Sequence, residues 1–359
     1  MKIAVLASGG VDSSVVLKLL QQQGHDVTAF YLKIWLEDEL SFLGNCPWDE
    51  DLSYLREICT KNNIPLEIIS MQKEYYDDVV SYAISEVKSG RTPNSDLMCN
   101  SKVKFGKFYQ KISSEFELVA SGHYADKIEI NGLYYLKTAK DSFKDQTYFL
   151  AHLSQNQLAR AIFPLGPYLK SEVRDLAKQF NLPNQARKDS QGVCFLGKIK
   201  YADFVKYHLG EMPGDLINFD TGEKVGQHQG YWFYTIGQRK GIELSGGPWY
   251  VVKKDIPANL VYISNTYHEP NKVRNNFEVT DLHWITLPPT STQLSNLQVK
   301  VRHGERYYSC NLELYPVQSP QISAPQAQVT LSESDQGLAS GQFAVFYSGD
   351  LCLGVGTIC

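Results

Sequence analysis

Ser8-Gly9-Gly10-Val11-Asp12-Ser13-Ser14 follows one apolar run, Ile3-Ala4-Val5-Leu6-Ala7, and precedes another, Val15-Val16-Leu17 with Leu19-Leu20. The order is that of a buried strand, a two-glycine turn and a helix whose first turn carries hydroxyls and a carboxylate. Such a turn aims backbone N–H groups and the positive end of a helix dipole at one point, where an anion such as phosphate is stabilised. Paired glycines let the backbone approach a ligand with no Cβ in the way. No lysine follows them, so the segment is not the G-x-x-x-x-G-K-[ST] phosphate loop. The same heptapeptide also suits a plain tight turn in which Asp12 or Ser13 caps the helix.

With 359 residues the chain is long enough for two or three domains. Its 43% hydrophobic and 21% charged residues fit a soluble globular protein. No apolar run approaches the roughly 20 residues of a membrane span, and no signal-peptide pattern opens the chain. A strand from residue 3 makes the amino terminus structural, and the cytoplasm is the expected compartment. The net charge of −4 weighs against a general nucleic-acid binder, while leaving room for an RNA enzyme with local basic residues. Cys46, Cys59, Cys99, Cys194, Cys310, Cys352 and Cys359 are odd in number, scattered and free of any Cys-x-x-Cys pair. That excludes a tidy disulfide scaffold and disfavours a zinc ribbon, so no metal site is expected in the chain itself.

From Lys2 to about Tyr124, short apolar runs alternate with amphipathic stretches. Ile3–Leu6, Asp26–Leu32, Leu66–Ser70 and Leu118–Ser121 read as strands. Ser13–Gln23, Asp49–Asn62, Tyr75–Lys88, Asn100–Phe116 and Leu169–Phe180 read as helices. The pattern predicts an α/β fold with a mostly parallel sheet and ligands at the strand carboxyl ends, where Ser8-Gly9-Gly10 and Ser121-Gly122-His123 fall. Near residue 200 the texture changes. A turn at Met212–Asp215 and a Gly- and aromatic-rich stretch predict a small mixed β unit. From about Phe277, alternating runs at Gln298–Arg302, Tyr308–Leu314, Gln342–Phe346 and Leu351–Ile358 predict an antiparallel β-barrel, with loops at Thr290–Ser295 and Val317–Gln326. The expected domains are 1–200, 201–274 and 275–359.

Four further constellations carry chemistry. In Arg91–Asn100, a turn at Pro93-Asn94-Ser95 leads into a helix on which Asp96 and Cys99, three apart, share a face. A carboxylate beside a thiol suits acid–base and nucleophilic work; a helix-start acid and a buried structural cysteine suit the pattern as well. In Lys188–Phe195, Cys194 stands two residues after Gly192 in a polar loop, a setting that favours reactivity. Cys99 and Cys194 both fall outside the strand cores, so two loop thiols in a reducing compartment suggest persulfide or transient disulfide chemistry, or two unrelated thiols. Lys144-Asp145-Gln146 offers a cation, a carboxylate and an amide ahead of aromatics, suited to phosphate and base contacts or to a solvated turn. Lys300, Arg302, His303, Arg306 and Tyr307 make a locally basic stretch in which Arg306 and Tyr307 could hold a phosphate and stack on a base; a hairpin turn with solvated charges suits the stretch as well.

Taken in order, these motifs together with Phe163–Gly166, Met212–Asp215 and Thr235–Arg239 resemble the tRNA-specific 2-thiouridylases, within the wider ATP-pyrophosphatase (PP-loop) group. The resemblance runs over nearly the whole chain, and Ser95 and Gln191 depart from the residues expected there. It implies an ATP-dependent sulfurtransferase that adenylates C2 of the wobble uridine, position 34, and installs sulfur from a persulfide. Leu6, Ala7, Ser8, Gly9, Gly10, Val11, Asp12, Ser13, Leu32 and Gly122 would bind ATP, with Mg²⁺ on its phosphates. Cys194 would carry the persulfide, Cys99 would release the sulfur through a transient disulfide with Cys194, and Asp96 would serve as acid–base catalyst. Asn94, Ser95, Asp96, His123, Lys144, Asp145, Gln146, Arg306, Tyr307 and Gln342 would contact tRNA, the target base leaving the anticodon stack. The implied partners are the tRNA anticodon stem-loop and a persulfide sulfur-donor protein, and a monomer is expected. The alternatives are a different ATP-pyrophosphatase that adenylates a small molecule, and a non-enzymatic nucleotide-binding RNA module with inert cysteines.

Overall fold

A computed structural model describes residues 1–34, 48–189, 200–242, 244–266, 274–315 and 326–359. Its first unit is a five-stranded parallel sheet of β1 (Lys2–Leu6), β2 (Asp26–Lys33), β3 (Leu66–Ser70), β4 (Leu118–Ala120) and β7 (Ala161–Ile162), in the order β3-β2-β1-β4-β7. The chain leaves β1 to one side for β2 and β3, then returns to the other side for β4. The crevice of such a sheet opens at this reversal, between the ends of β1 and β4. Ser8 and Ser121 stand there. Successive β1 residues enter two cores: Ile3 and Val5 join Val15, Val16 and Leu20, whereas Ala4 and Leu6 join Phe30, Val119 and Phe163. A strand covered on both faces reads as a continuous apolar run, as this one does.

The helix Val11–Gln22 supplies Val11, Val15, Leu19 and Leu20 to one of these cores, and Trp48–Asn62 supplies Leu52, Leu55, Ile58 and Cys59. Two expected helices differ from simple α-helices. The first runs through Gln72–Tyr75, a π segment Tyr76–Val80 and Ser81–Lys88; the second through Ser95–Met98, a π segment Cys99–Lys107 and Phe108–Lys111. The second therefore starts earlier and ends earlier than Asn100–Phe116. Ile112, at φ −97° and ψ 154°, turns the chain extended and stops it. Gly106 suits the wide turn, because a Cβ there would stand 2.7 Å from the Ser101 carbonyl oxygen.

The middle unit is a four-stranded mixed sheet of β8 (Gly214–Asn218), β9 (Lys224–His228), β10 (Tyr250–Asp255) and β11 (Leu260–Ser264), ordered β10-β11-β8-β9. The last unit closes on itself as an antiparallel barrel, β12 (Asn276–Trp284), β15 (Ala327–Leu331), β14 (Tyr308–Leu314), β13 (Leu297–Lys300), β16 (Phe343–Ser348), β17 (Leu351–Ile358) and back to β12. Thr290–Ser295, expected as a loop, contains a short helix, Ser291–Ser295, whose capping box Thr290 and Gln293 close. Of the loop expected at Val317–Gln326, all but the last residue lies outside the described residues.

The first and third units are joined through a shared sheet. A hairpin of β5 (Asp126–Ile130) and β6 (Leu133–Lys137) leaves the catalytic unit and pairs through Leu136 and Lys137 with Cys352 and Leu351 of β17. This hairpin is absent from the expected elements, although its Asn131-Gly132 turn, with φ of 52° and 77°, is a type I′ signal. Strand β16 completes the union. Ala344 and Phe346 face the barrel interior, while Phe343, Val345 and Tyr347 enter the core of the catalytic unit.

Candidate active site

The turn after β1 is held open by its own hydroxyls. Ser13 Oγ accepts from the Ser8 N–H at 3.2 Å and donates to the Gly10 carbonyl at 3.2 Å, and Ser14 Oγ donates to the same carbonyl at 2.9 Å. Gly9 has φ +75°, and a Cβ on it would lie 2.6 Å from the Asp51 carbonyl oxygen, so glycine is required there on two counts. Gly10 is the residue before the helix, and it offers no side chain to cap it. Asp12 is engaged by Lys170 and Tyr124 rather than by the start of the helix. Gly122, after β4, packs against this entrance, with its Cβ direction 3.1 Å from the Ser13 nitrogen. These donors and this clearance fit the phosphates of ATP.

Residues far along the chain tie the turn down. Asn184, buried, donates to the Gly9 carbonyl at 2.8 Å and to Ser14 Oγ at 2.9 Å. Arg187 donates to the same carbonyl at 3.1 Å and pairs with Asp51 at 2.6 Å. Burial pushes the Asp51 carboxyl up despite that arginine. Lys170, at the head of the helix Lys170–Gln179, holds both Asp12 oxygens at 2.7 and 2.8 Å and reaches Asp189 at 3.0 Å. The Tyr124 hydroxyl donates to Asp12 at 3.1 Å. Burial alone would raise the Asp189 carboxyl, but Lys170, Arg174 and Lys144 together hold it below its ordinary value. Asn184, Arg187, Lys170 and Tyr124 are absent from the expected site residues, and of these only Tyr124 falls in a motif, directly after Ser121-Gly122-His123. The Asp12 carboxylate of the cradle is already engaged by Lys170 and Tyr124. Among the described residues no cluster of three His, Cys, Asp or Glu side chains could hold a metal, so phosphate oxygens and water would supply the shell of Mg²⁺.

The Asn94 side chain accepts from the Leu97 N–H at 3.1 Å and starts the helix that carries Asp96 and Cys99. Cys99 is 2% exposed and packs with Tyr75, Leu97, Val103 and Phe105. It is thus a covered helical thiol rather than a loop thiol, because the helix begins at Ser95 and turns this face inward. Burial pushes its thiol up and the Asp96 charge adds to this, while Lys104 and a hydrogen bond with Tyr75 act the other way. The charge of Lys104 also reaches His123, whose imidazole burial chiefly holds neutral, far below its usual range. His123 Nδ1 lies 2.8 Å from Ser121 Oγ, and its ring lies 6.2 Å from that of Phe105. One helix therefore brings the Cys99 segment up to the end of β4, beside the cradle. Cys194, with 190–199, lies outside the described residues, as does Cys46.

The other expected residues separate. Leu6 and Ala7 are buried beneath the cradle, and Leu32 is half-buried at the end of β2 against the same core. Lys144 pairs with Asp189 at 3.4 Å. Asp145, expected to meet RNA, is instead 2% exposed: it accepts from Ala139 N–H and Thr147 Oγ and pairs with Lys300. Gln146 brackets the Tyr124 main chain, accepting its N–H at 2.9 Å and donating its own N–H to the carbonyl at 2.8 Å. Arg306 is exposed, lies over the Tyr308 ring and pairs with Glu333 at 2.6 Å. Tyr307, expected to stack on a base, has the Lys300 ammonium 4.2 Å from its ring centre and stands edge-on to Tyr347, an inward-facing partner set. Gln342 follows Gly341, which packs against Arg91 and Thr92. Its buried Oε1 has no hydrogen-bond partner among the described residues. No described helix is long and apolar enough to cross a membrane.

A parallel sheet with a glycine cradle at its switch point, facing first-turn N–H groups, defines an ATP-pyrophosphatase of the PP-loop class. Family models match residues 1–198, described as a tRNA methyl transferase HUP domain, residues 202–265, as a tRNA methyl transferase PRC-barrel domain, and residues 274–358, as an aminomethyltransferase beta-barrel domain. A tRNA-specific 2-thiouridylase of Bacteroides thetaiotaomicron is 44% identical over 362 residues, covering 100% of this chain and 99% of its own. Those of Parabacteroides distasonis, 44% identical over 366 residues, and Porphyromonas gingivalis, 42% over 377, likewise span 100% of this chain and 99% of theirs. The chain belongs to the tRNA-specific 2-thiouridylase family.

Proposed function

We propose that this chain thiolates C2 of uridine 34 in tRNA, using ATP bound on Ser8–Ser13 and Gly122 and the cysteines Cys99 and Cys194. The observation that carries this reading is the meeting of the Cys99 helix with the nucleotide crevice at His123. The uridine C2 oxygen attacks the α-phosphorus of ATP and pyrophosphate leaves, which turns oxide, a poor leaving group, into AMP. The terminal sulfur of a Cys194 persulfide then adds to C2. The Cys99 thiolate attacks the inner Cys194 sulfur, the Cys99–Cys194 disulfide forms, AMP departs and the thiocarbonyl remains. A dithiol reductant resets the pair.

Asp96, one helical turn from Cys99, takes the thiol proton once the segment opens; a thiol that is 2% exposed cannot meet a persulfide while its packing is closed. Asn94, Ser95 and His123 border the base. The main chain of the Lys144–Gln146 segment adjoins it, with Lys144 offering charge. Arg306 and Gln342 extend the tRNA contact along a barrel domain, 275–359, that follows a catalytic domain, 1–200, and a central domain, 201–274. A persulfide-carrying protein supplies the sulfur, and the enzyme acts as a cytoplasmic monomer. The methyl-transfer wording of the family models suits this site poorly, because methylation needs neither a pyrophosphate cradle nor two cysteines.

Cys194→Ser is the test. With ATP, tRNA and a sulfur donor, it is expected to release pyrophosphate and accumulate adenylylated tRNA, with no 2-thiouridine by mass spectrometry of nucleosides. Full thiolation by that variant would remove Cys194 from the mechanism.

A further inference from the structure

Lys300 and Asp145 form an ion pair between the barrel and the catalytic unit, Nζ to Oδ2 at 3.6 Å, with side chains 0% and 1% exposed. The ammonium lies 4.2 Å from the Tyr307 ring centre and 5.6 Å from that of Tyr347, both aromatic residues of the barrel unit. Burying two such charges costs desolvation that an apolar pair of equal volume avoids, so stability alone is a poor reason for them. What an ion pair adds is direction: Asp145 is placed against one point of β13. Its remaining capacity is spent on its own loop, on the Ala139 N–H at 3.1 Å and the Thr147 hydroxyl at 2.7 Å.

The next residue in the chain carries the placement onward. Gln146 grips Tyr124 by both its main-chain groups, at 2.8 and 2.9 Å, and the Tyr124 hydroxyl lies 3.1 Å from Asp12 in the cradle. The path runs from barrel to loop to cradle through the Lys300–Asp145 ion pair, the Asp145–Gln146 peptide bond, the two Gln146–Tyr124 hydrogen bonds and the Tyr124 side chain, and it meets Asp12 beside the ammonium of Lys170. We propose that Lys300 is a positioning residue for ATP, a barrel side chain that sets Asp12 through Asp145, Gln146 and Tyr124. The barrel then does more than offer a surface for RNA: its seating against the catalytic unit tunes the affinity of the nucleotide site. By linkage, whatever stabilises that seating strengthens ATP binding by the same factor that ATP strengthens the seating.

The test uses the full chain with Lys300→Met and Asp145→Asn combined, so that no lone buried charge remains to unfold it. Calorimetric titration with Mg·ATP is expected to show affinity about tenfold weaker than wild type, a common size for such coupling. Amide exchange of a peptide containing Tyr124 should quicken, while the urea midpoint stays near wild type. Unchanged Mg·ATP affinity and unchanged exchange at Tyr124 would overturn the proposal. So would a joint fall of ATP affinity and urea midpoint, which would reduce the pair to a fold anchor. The inference rests on the cradle binding ATP; if wild type took up no Mg·ATP, that reading would fail instead, and the variant would not be needed to see it.

Discussion

The nucleotide cradle and the face that the same unit turns to the barrel are built by opposite means. In the cradle, hydrogen bonds join Ser8 to Ser13 and Gly10 to Ser14, five and four residues apart. On the barrel face they join Tyr148 to Phe343 and Thr147 to Tyr347, 195 and 200 residues apart, within apolar packing from Val345, Cys352 and Val355. A local polar turn can take its shape from its own residues. An apolar face acquires meaning only from what covers it. The cradle is not wholly local, however, because Asn184 and Arg187 clamp its Gly9 carbonyl from 175 and 178 residues away.

The sharpest break of this contrast is Phe346→Ala. Its ring fills the barrel interior 5.6 Å from that of Trp284, and truncation is expected to cost about 3–5 kcal/mol, read as a lowered urea midpoint. A midpoint near that of wild type would show that the barrel interior repacks around the loss. Next comes Gly9→Ala, expected to cost about 1–3 kcal/mol through its positive φ and its clash with Asp51, and to weaken Mg·ATP binding far more than it lowers the midpoint. Near-normal ATP affinity in this variant would show that the turn tolerates displacement.

The smallest effect expected is one of pH. His152 and His283 stack at 4.7 Å across the boundary, and burial, followed by the charge of His283 and Lys102, pushes His152 down to about 4. An unfolded histidine takes its proton near 6.5, so between about 6.5 and 4 the unfolded chain holds more protons and stability falls as pH falls. His152→Gln should flatten the slope of urea midpoint against pH in that window; an unaltered slope would place the titrating group elsewhere.

Much of this architecture was legible because it depends on neighbours. The strands Leu66–Ser70, Tyr308–Leu314 and Leu351–Ile358 fall where alternation and turn residues put them. The paired glycines mark the cradle. Gln342–Phe346 was readable as a strand, found at Phe343–Ser348, but not as one serving two cores, since a run buried on both faces does not say what lies on either. Cys99 shows a similar limit. Val103 four residues on and Leu97 two before are apolar, yet whether they turn the thiol inward depends on where the helix begins. Nothing adjacent to Lys170, Asn184 or Arg187 marks them as partners of Asp12 and Gly9.

The order of elements, the glycine turn and the pairing of an acid with a thiol three residues on were set by the sequence itself, because backbone conformation responds to residues a few positions away. The covered state of Cys99, the inward turn of Asp145 and the ammonium on Asp12 were decided by the tertiary structure. Burial and electrostatic field are sums over everything nearby in space, and that includes groups such as Lys170, which reaches Asp12 from 158 residues along the chain.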